Sequence, residues 1–587
     1  MSKLLLLTLL LSAVVLLTCG PAPRDAAAST GNTERPNILF ILTDDQGIGD
    51  LSLHGNDSIS TPHMDALLQS GAKFDRFYVS PVCAPTRASF LSGQYHPRTG
   101  AIFVTRRRET MDDGVVTLAE HLQNLGYRTG LYGKWHNGAT YPYHPGGQGF
   151  GEFLGFTLGH FNDYFRGELR NERDEAVPFA GDLTGILTDS ASHFMLASEV
   201  PFFCMLTYQA PHTPVQVADE YWNAKQTLGL SDYNTGIYAM VESIDARIGQ
   251  LLDRLETAGK LDNTIVVFAT DNGPNGDRYR MGLKGTKGQV DEGSVRVPFG
   301  IKLPAGHPAN GQVFSTPAAH IDLLPTILDL LGQPVPEGLD GVSLAPLLEG
   351  EALADRYVYA FKQGYDYTGY PGSMRNQRYL YVAADSTTHE LYDLQQDPGQ
   401  TTNIYGQADG LGEQMATTYR DFAPTIGRPD LVAPPIDLDA APGPINLLAH
   451  EGEPRGRTHF QDDYGWANDF FVDLGVDGAY WPITTDREVN YAVMLRYAAN
   501  AGPQVVTLQA ENGPLLEATL PATEVDQLPV ADRVERKEVY PYDWAEQDLG
   551  ILRIPAGSSE LVISTPTQAG AETGLWVKAV TLYRVQR

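Results

Sequence analysis

The sequence predicts an α/β catalytic domain with a largely parallel central sheet flanked by helices. A small antiparallel-sheet subdomain closes it, and an all-β sandwich follows. Three observations carry this expectation. Continuous apolar, β-rich runs alternate with amphipathic segments up to residue 345, the pattern of buried parallel strands joined by helices. Residues 346–429 instead alternate aromatic and polar positions, as in "RYVYAFKQGYDYTGYPGSMRNQRYLYVAAD". Short β-rich runs separated by Gly, Pro, Asn and Asp then fill 445–587, at hairpin or sandwich spacing.

Taken in order, the chain opens MSKLLLLTLLLSAVVLLTCG, a lysine followed by an apolar run too short for a membrane span. Residues 1–19 therefore read as a secretory leader. "LLTC" resembles the lipobox of bacterial lipoproteins, with Thr18 in place of the usual small residue. Cleavage and lipidation at Cys19 both stay open, and any membrane attachment would be through that anchor. Export to a bacterial periplasm, a cell surface or the medium is expected.

The catalytic domain is placed at 36–345. "NILFILT" ends in Asp44-Asp45 and "TIVVFAT" in Asp271-Asn272, while "YRTGLYG" leads into Lys134-Trp135-His136 and "PFFCMLTY" into a loop carrying His212. Between them, "VTLAEHLQNLG" puts Leu118, Leu122 and Leu125 on one helical face, with Gly126 as the stop. "GIYAMVESIDARIGQLLDRLETAG" repeats the pattern through Ile237, Val241, Ile244, Ile248, Leu251 and Leu255. Ligands of such sheets bind beyond the carboxyl ends of the strands, where all these polar groups lie. Asp-Asp and Asp-Asn pairs also cap helices and turns. Two such pairs at two strand ends, beside Lys and His, point to a hard divalent cation that relieves the repulsion among the carboxylates.

The 587 residues carry a formal net charge of −30, which argues against nucleic acid as a partner. There are three cysteines. Cys204 falls in the apolar run "PFFCMLTY" and reads as a buried strand residue, and no spacing requests a disulfide to Cys83. Cys83 opens "VCAPTRASFLSGQY", a loop entering a short helix with Pro85 in its first turn. A thiol at a helix N-terminus is expected to be acidified and reactive.

Cys83-Ala84-Pro85-Thr86-Arg87 resembles the C-x-P-x-R signature of the type I, formylglycine-dependent sulfatases of the alkaline phosphatase-like superfamily. The resemblance spans residues 36 to 430 through "PNILFILTDDQGIGDLSLHGN", "GYRTGLYGKWH", "YQAPHTP", "ATDNGP", "KGQVDEGSVRVP" and "HELYDLQQDPGQTTNI" in that order. It implies that Cys83 is oxidised to formylglycine by a formylglycine-generating enzyme. The hydrated aldehyde then attacks the sulfur of a sulfate ester. It further implies Ca2+ held by Asp44, Asp45, residue 83, Asp271 and Asn272. Arg87 and Lys134 orient the diol, and Lys134 and Lys287 hold the sulfate. Lys287 is preferred to Lys284 because it precedes Glu292 by five residues, the family's spacing. His212 resembles the acid for the leaving alcohol and His136 the base that expels sulfate.

One departure stands out: Ser294 replaces the second glycine of the family's E-G-G-x-R-V-P, which puts that loop's geometry in question. The alternatives are a phosphonate monoester hydrolase or phosphodiesterase of the same superfamily, and a non-catalytic binder of sulfated glycans. The substrate class expected is a sulfated polysaccharide or its oligosaccharides. Arg106, Arg107 and Arg108, consecutive in an acidic chain, are candidates for neighbouring anionic groups on that glycan, against the plainer reading of a solvated charge run. The subdomain is placed at 346–429, a linker at 430–444 and the sandwich, a carbohydrate-binding candidate, at 445–587. "GWANDFF" and "AYWP" suit either a sugar platform or the sandwich core.

Overall fold

Strand β1 (Asn37–Thr43) is buried on both faces, and the reason is visible in its alternation. Ile38, Phe40 and Leu42 enter one hydrophobic cluster with Phe90 and Leu91, while Leu39 and Ile41 enter another with Ile244 and Leu251. A continuous apolar run is thus two half-patterns, one for each layer of helices. The computed structural model describes residues 35–428, 433–462, 464–566 and 573–585. The leader and Cys19 lie outside the described residues.

The other strands of this sheet are β2 (Ala72–Tyr78), β3 (Arg128–Lys134), β4 (Glu152–Phe156), β5 (Arg166–Asn171), β6 (Ala176–Ala180), β7 (Phe202–Thr207), β8 (Thr264–Thr270), β9 (Arg296–Lys302), β10 (Val313–Phe314) and β11 (Ala318–Ala319). They run in the order β10-β2-β9-β8-β1-β7-β3-β4-β5-β6, with β11 on β2. β8, β1, β7, β3 and β4 are parallel, and β1 sits between β7 and β8 with Phe40 opposite both Met205 and Val267. β9, β5 and β6 pair antiparallel, so the sheet is mixed around a parallel centre.

The flanking helices start and stop where their sequences say. Thr117 and Glu120 form a reciprocal capping box ahead of Leu118–Asn124. Ser231 accepts from the Asn234 N–H to open the long helix Asp232–Thr257. Cys83 is the first residue of its helix, Cys83–Ser92, all of which is buried. Cys204 is a free, buried cysteine of β7, and Cys83 is free as well.

A four-stranded antiparallel sheet (Val358–Phe361, Gly372–Arg375, Tyr379–Ala383, His389–Asp393) packs against the helix Leu411–Ile426 through Tyr359, Tyr381, Met415 and Tyr419. The remainder is a pair of six-stranded sheets around Trp481, Phe470, Leu495 and Val577. The expected linker at 430–444 is shorter than its composition suggests. Ile436–Asp437 pairs with Ala479–Thr484 and Leu438 is fully buried, so this stretch already belongs to the sandwich.

The sandwich is bolted to the catalytic domain by arginines. Arg107 Nε donates to the Glu451 carbonyl and Nη1 to the Pro434 carbonyl, both at 2.9 Å. Arg106 pairs with Glu453. These geometries correct the substrate role considered for Arg106 and Arg107: Arg107 is buried with Nε and Nη1 on carbonyls, and Arg106 is paired with Glu453 across the interface. Arg108 lines a pocket with Tyr365, Asp366 and Arg420. From the other side, a sandwich segment reaches back. Arg533 Nη2 donates to Val217 O at 2.7 Å, and Arg536 Nη1 donates to Asn162 O at 2.9 Å while its other nitrogens bond Asp532. Val534 packs against the catalytic core.

Because these contacts are buried and two-sided, the catalytic domain and sandwich are expected to unfold in one calorimetric transition. Arg536→Leu, which strands Asp532 and the Asn162 carbonyl, should cost about 3 kcal/mol. Two well-separated transitions in the wild type, or an unchanged midpoint in the variant, would contradict this.

Candidate active site

The carboxyl ends of β1, β8 and β3 bring Asp44, Asp271 and Lys134 together, all fully buried. Both carboxylates, and Asp45 beside them, have a cation close by. Lys134 Nζ lies 2.6 Å from Asp44 Oδ2. Arg87 reaches Asp271 Oδ2 from both Nε (3.0 Å) and Nη2 (2.7 Å), and its Nη1 donates to Lys134 O. Lys287 Nζ lies 2.5 Å from Asp45 Oδ1, which also accepts from Asn272 Nδ2 at 2.7 Å. Lys284, by contrast, turns away to Asp291, Glu390 and Tyr392. Asp45 stands at φ 63°, a left-handed conformation that non-glycine residues adopt at a cost.

What keeps Asp45 there is a residue that sequence reading did not single out. Arg278 is buried, bonds both oxygens of Asp50, and donates from Nη2 to the Asp45 carbonyl at 2.5 Å. Gly273 is fixed by close approach: a Cβ there would lie 2.4 Å from the Gly293 carbonyl. Ser294, the departure from the family pattern, sits in the short helix Glu292–Val295 without a positive φ, so the loop needs no glycine at that position.

Electrostatically the pocket is strained. Burial pushes Asp271 up to about 6, with the neighbouring Asp44 charge adding to it. Burial would also raise Asp45, but Lys287 and His212 outweigh it and hold that carboxyl below its usual range. Three oxygens remain buried with no donor: Asp44 Oδ1, Asp45 Oδ2 and Asn272 Oδ1. Asp44, Cys83 and Asp271 present ligand atoms within 4.8 Å of one another. Acceptor oxygens without donors, drawn from two strand ends, fit a hard cation.

Cys83 differs from expectation in one respect. Burial pushes its thiol pKa up, against the pull of Lys134 and Lys287, so it is not a resident thiolate despite its helix N-terminus. The histidines are differentiated by their carbonyl partners. A carbonyl only accepts, so His136 Nε2, 2.9 Å from Val104 O, carries the proton and leaves Nδ1 as a buried, unpartnered lone pair. Burial, reinforced by Lys134, holds His136 well below its ordinary pKa. His212 Nδ1 donates to Thr213 O at 2.7 Å, which turns Nε2 toward Asp45 Oδ2 at 3.8 Å.

Three further groups went unread. His160 stacks on His212 with centroids 5.8 Å apart. Asn137 Nδ2 supports the first turn of the Cys83 helix through Ala84 O at 3.0 Å. Lys362 comes from the C-terminal subdomain and stands against Gly288, its ammonium pKa lowered by burial, with the Lys287 charge adding to it. No motif marks it. It is a lone lysine after an aromatic strand, and only the fold brings it here.

The Sulfatase family model matches residues 36–333, and that of N-sulphoglucosamine sulphohydrolase, C-terminal, matches 286–419. Human arylsulfatase A is 31% identical over 469 residues, covering 68% of this chain and 88% of its own length. The N-acetylglucosamine-6-O-sulfatase of Bacteroides thetaiotaomicron is 26% identical, covering 70% and 88%. Among solved structures, Ps i-CgsB in complex with k-i-k-neocarrahexaose superposes with a TM-score of 0.63 at 28% identity, over 68% of this chain and 95% of that one.

Since Arg278 holds Asp45 from beneath, Arg278→Leu is expected to cost about 3–5 kcal/mol by leaving Asp50 as an unpaired buried charge. Urea denaturation reads this directly, and a loss under about 1 kcal/mol would show that Arg278 does not hold the Asp45 turn.

Proposed function

The chain belongs to the sulfatase family and is a sulfuric ester hydrolase; from that premise we propose that it cleaves sulfate esters of sulfated polysaccharides or their oligosaccharides, using formylglycine made from Cys83 and a calcium ion. The observation that carries the finer reading is the gathering beside residue 83 of donor-free oxygens and three cations, with His136 and His212 each oriented by a backbone carbonyl. Maturation by a formylglycine-generating enzyme during export belongs to the same reading. It is supported by the leader at 1–19 and by a buried Cys83 whose thiol is not activated.

Asp44, Asp45, Asp271 and Asn272 would hold the calcium, together with the oxygen of residue 83. With both groups in place, the hydrated aldehyde supplies an oxygen nucleophile and calcium supplies Lewis acidity toward the sulfate. The chain's own residues do the rest. Lys134 and Lys287 put positive charge where sulfate oxygens gather charge in the transition state. Arg87 fixes Asp271 and the Lys134 carbonyl, so the nucleophile's surroundings are rigid before substrate arrives. His212 Nε2, 3.8 Å from Asp45 Oδ2, faces the leaving alcohol as a proton donor. His136 Nδ1, a lone pair with no partner, takes the proton that must leave residue 83 when sulfate is released.

The test is a leaving-group comparison on protein whose residue 83 is shown by peptide mass to be formylglycine. His212→Ala should lower turnover of sugar sulfates by roughly 10²–10⁴-fold, and that of activated aryl sulfates much less, because only an alkoxide needs the proton. Equal losses on both substrates would remove His212 as the acid. Wild-type activity in protein carrying only unmodified cysteine would overturn the formylglycine mechanism, and a preference for phosphodiesters over sulfates would overturn the substrate assignment.

A further inference from the structure

The sandwich does more than brace the catalytic domain, and residues 464–468 show where. Gly465 O accepts from Thr105 Oγ1 at 2.5 Å, one residue from the Val104 carbonyl that orients His136. Asn468 Nδ2 donates to His160 O at 2.8 Å, and the His160 ring stacks on His212. One short sandwich segment therefore touches the supports of both candidate catalytic histidines. It is held in shape by Asp462, whose carboxylate accepts from the Tyr464 and Gly465 N–H groups.

Within that segment Trp466 is 40% exposed, whereas Trp481 of the other tryptophan-bearing run is fully buried and donates to Leu448 O. Tyr464 stacks against Trp466 at 4.2 Å between centroids, which braces the indole. Its other neighbour is Phe103, at 6.4 Å, and the Lys362 ammonium lies 4.8 Å over that Phe103 ring. Lys362 is the cation that stands against the Lys287–Gly288 turn, and no carboxylate neutralises it among the described ion pairs. A row thus runs from the Lys287–Gly288 turn through Lys362 and Phe103 to a braced, exposed indole.

We propose that Trp466 is the platform for a sugar ring of the substrate glycan, so that the β-sandwich supplies part of the substrate site. An exposed, pre-oriented indole suits a ring whose C–H face is apolar and whose edge carries hydroxyls, since a rigid aromatic surface costs little ordering entropy. The neighbouring Lys362 suits an anionic substituent on the same glycan. This rests on the sulfatase reading for the identity of the glycan, but not for the existence of the platform.

The test uses the full-length Cys83→Ala protein, which binds without turnover, and a panel of heparin, chondroitin sulfate and carrageenan hexasaccharides. Binding is measured by calorimetry and by saturation transfer. At least one hexasaccharide should bind, Trp466→Ala in that background should raise its Kd roughly tenfold, and Trp466→Phe should restore it to within about threefold. Unchanged Kd in Trp466→Ala overturns the proposal. So does a loss confined to Trp544→Ala, which would move the sugar to the cleft of about 470 Å³ between the two domains that Trp544 lines. If no hexasaccharide binds while wild type releases sulfate from an aryl ester, the platform is wrong and the enzyme reading stands. Binding through Trp466 by a protein whose wild-type form cleaves no sulfate ester would do the reverse.

Discussion

Everything about this catalytic centre follows from burying three carboxylates at the ends of parallel strands. Asp44, Asp45 and Asp271 cannot share a water-free pocket without positive charge, and the fold delivers it from three different places. Arg87 comes from the helix that Cys83 opens, Lys134 from strand β3 and Lys287 from the loop before Glu292. Each pairing is geometric as well as electrostatic: the Arg87–Asp271 contact fixes the helix that begins at Cys83. The oxygens left over, on Asp44, Asp45 and Asn272, fit a further, hard cation.

The same requirement reaches outward. Asp45 can point into the pocket only because Arg278 and Asp50 hold its strained turn from below. Glu292, the residue before Gly293, is tied to Tyr78 and approached by Arg375 of the C-terminal subdomain, so the strand carrying the pocket loop is locked to the small sheet. The sandwich adds a further tie through Arg107, Arg533 and Arg536. An accessory domain attached by buried arginines is part of the scaffold, and residues 464–468 place its surface beside the chemistry.

Much of this was legible in the residues. Strand runs ending in Asp-Asp, Asp-Asn, Lys-Trp-His and the His212 loop put the polar groups at one edge of the sheet, because strand polarity and the carboxyl-end rule leave them nowhere else. The continuous burial of "NILFILT" and "TIVVFAT" carried the parallel centre, though not the antiparallel β9, β5 and β6, whose directions depend on connections that composition does not encode. Cys83 reads as an acidified thiol from its helix position, whereas its burial raises the thiol pKa against the pull of Lys134 and Lys287. The Arg106–Arg108 run could not be assigned from sequence, since a guanidinium that clamps carbonyls reads the same as one that meets a ligand. Lys362, His160 and Trp466 lie far from the motifs in the chain, and only tertiary packing brings them to the site.

The central claim is that the donor-free oxygens are a calcium site. It is met most directly by diffraction from crystals grown with calcium, recorded at a long wavelength where calcium scatters anomalously. The account predicts one peak bonded by Asp44, Asp45, Asp271 and Asn272 at about 2.3–2.6 Å. Calcium bound elsewhere, with these four side chains still ligating nothing, would contradict it.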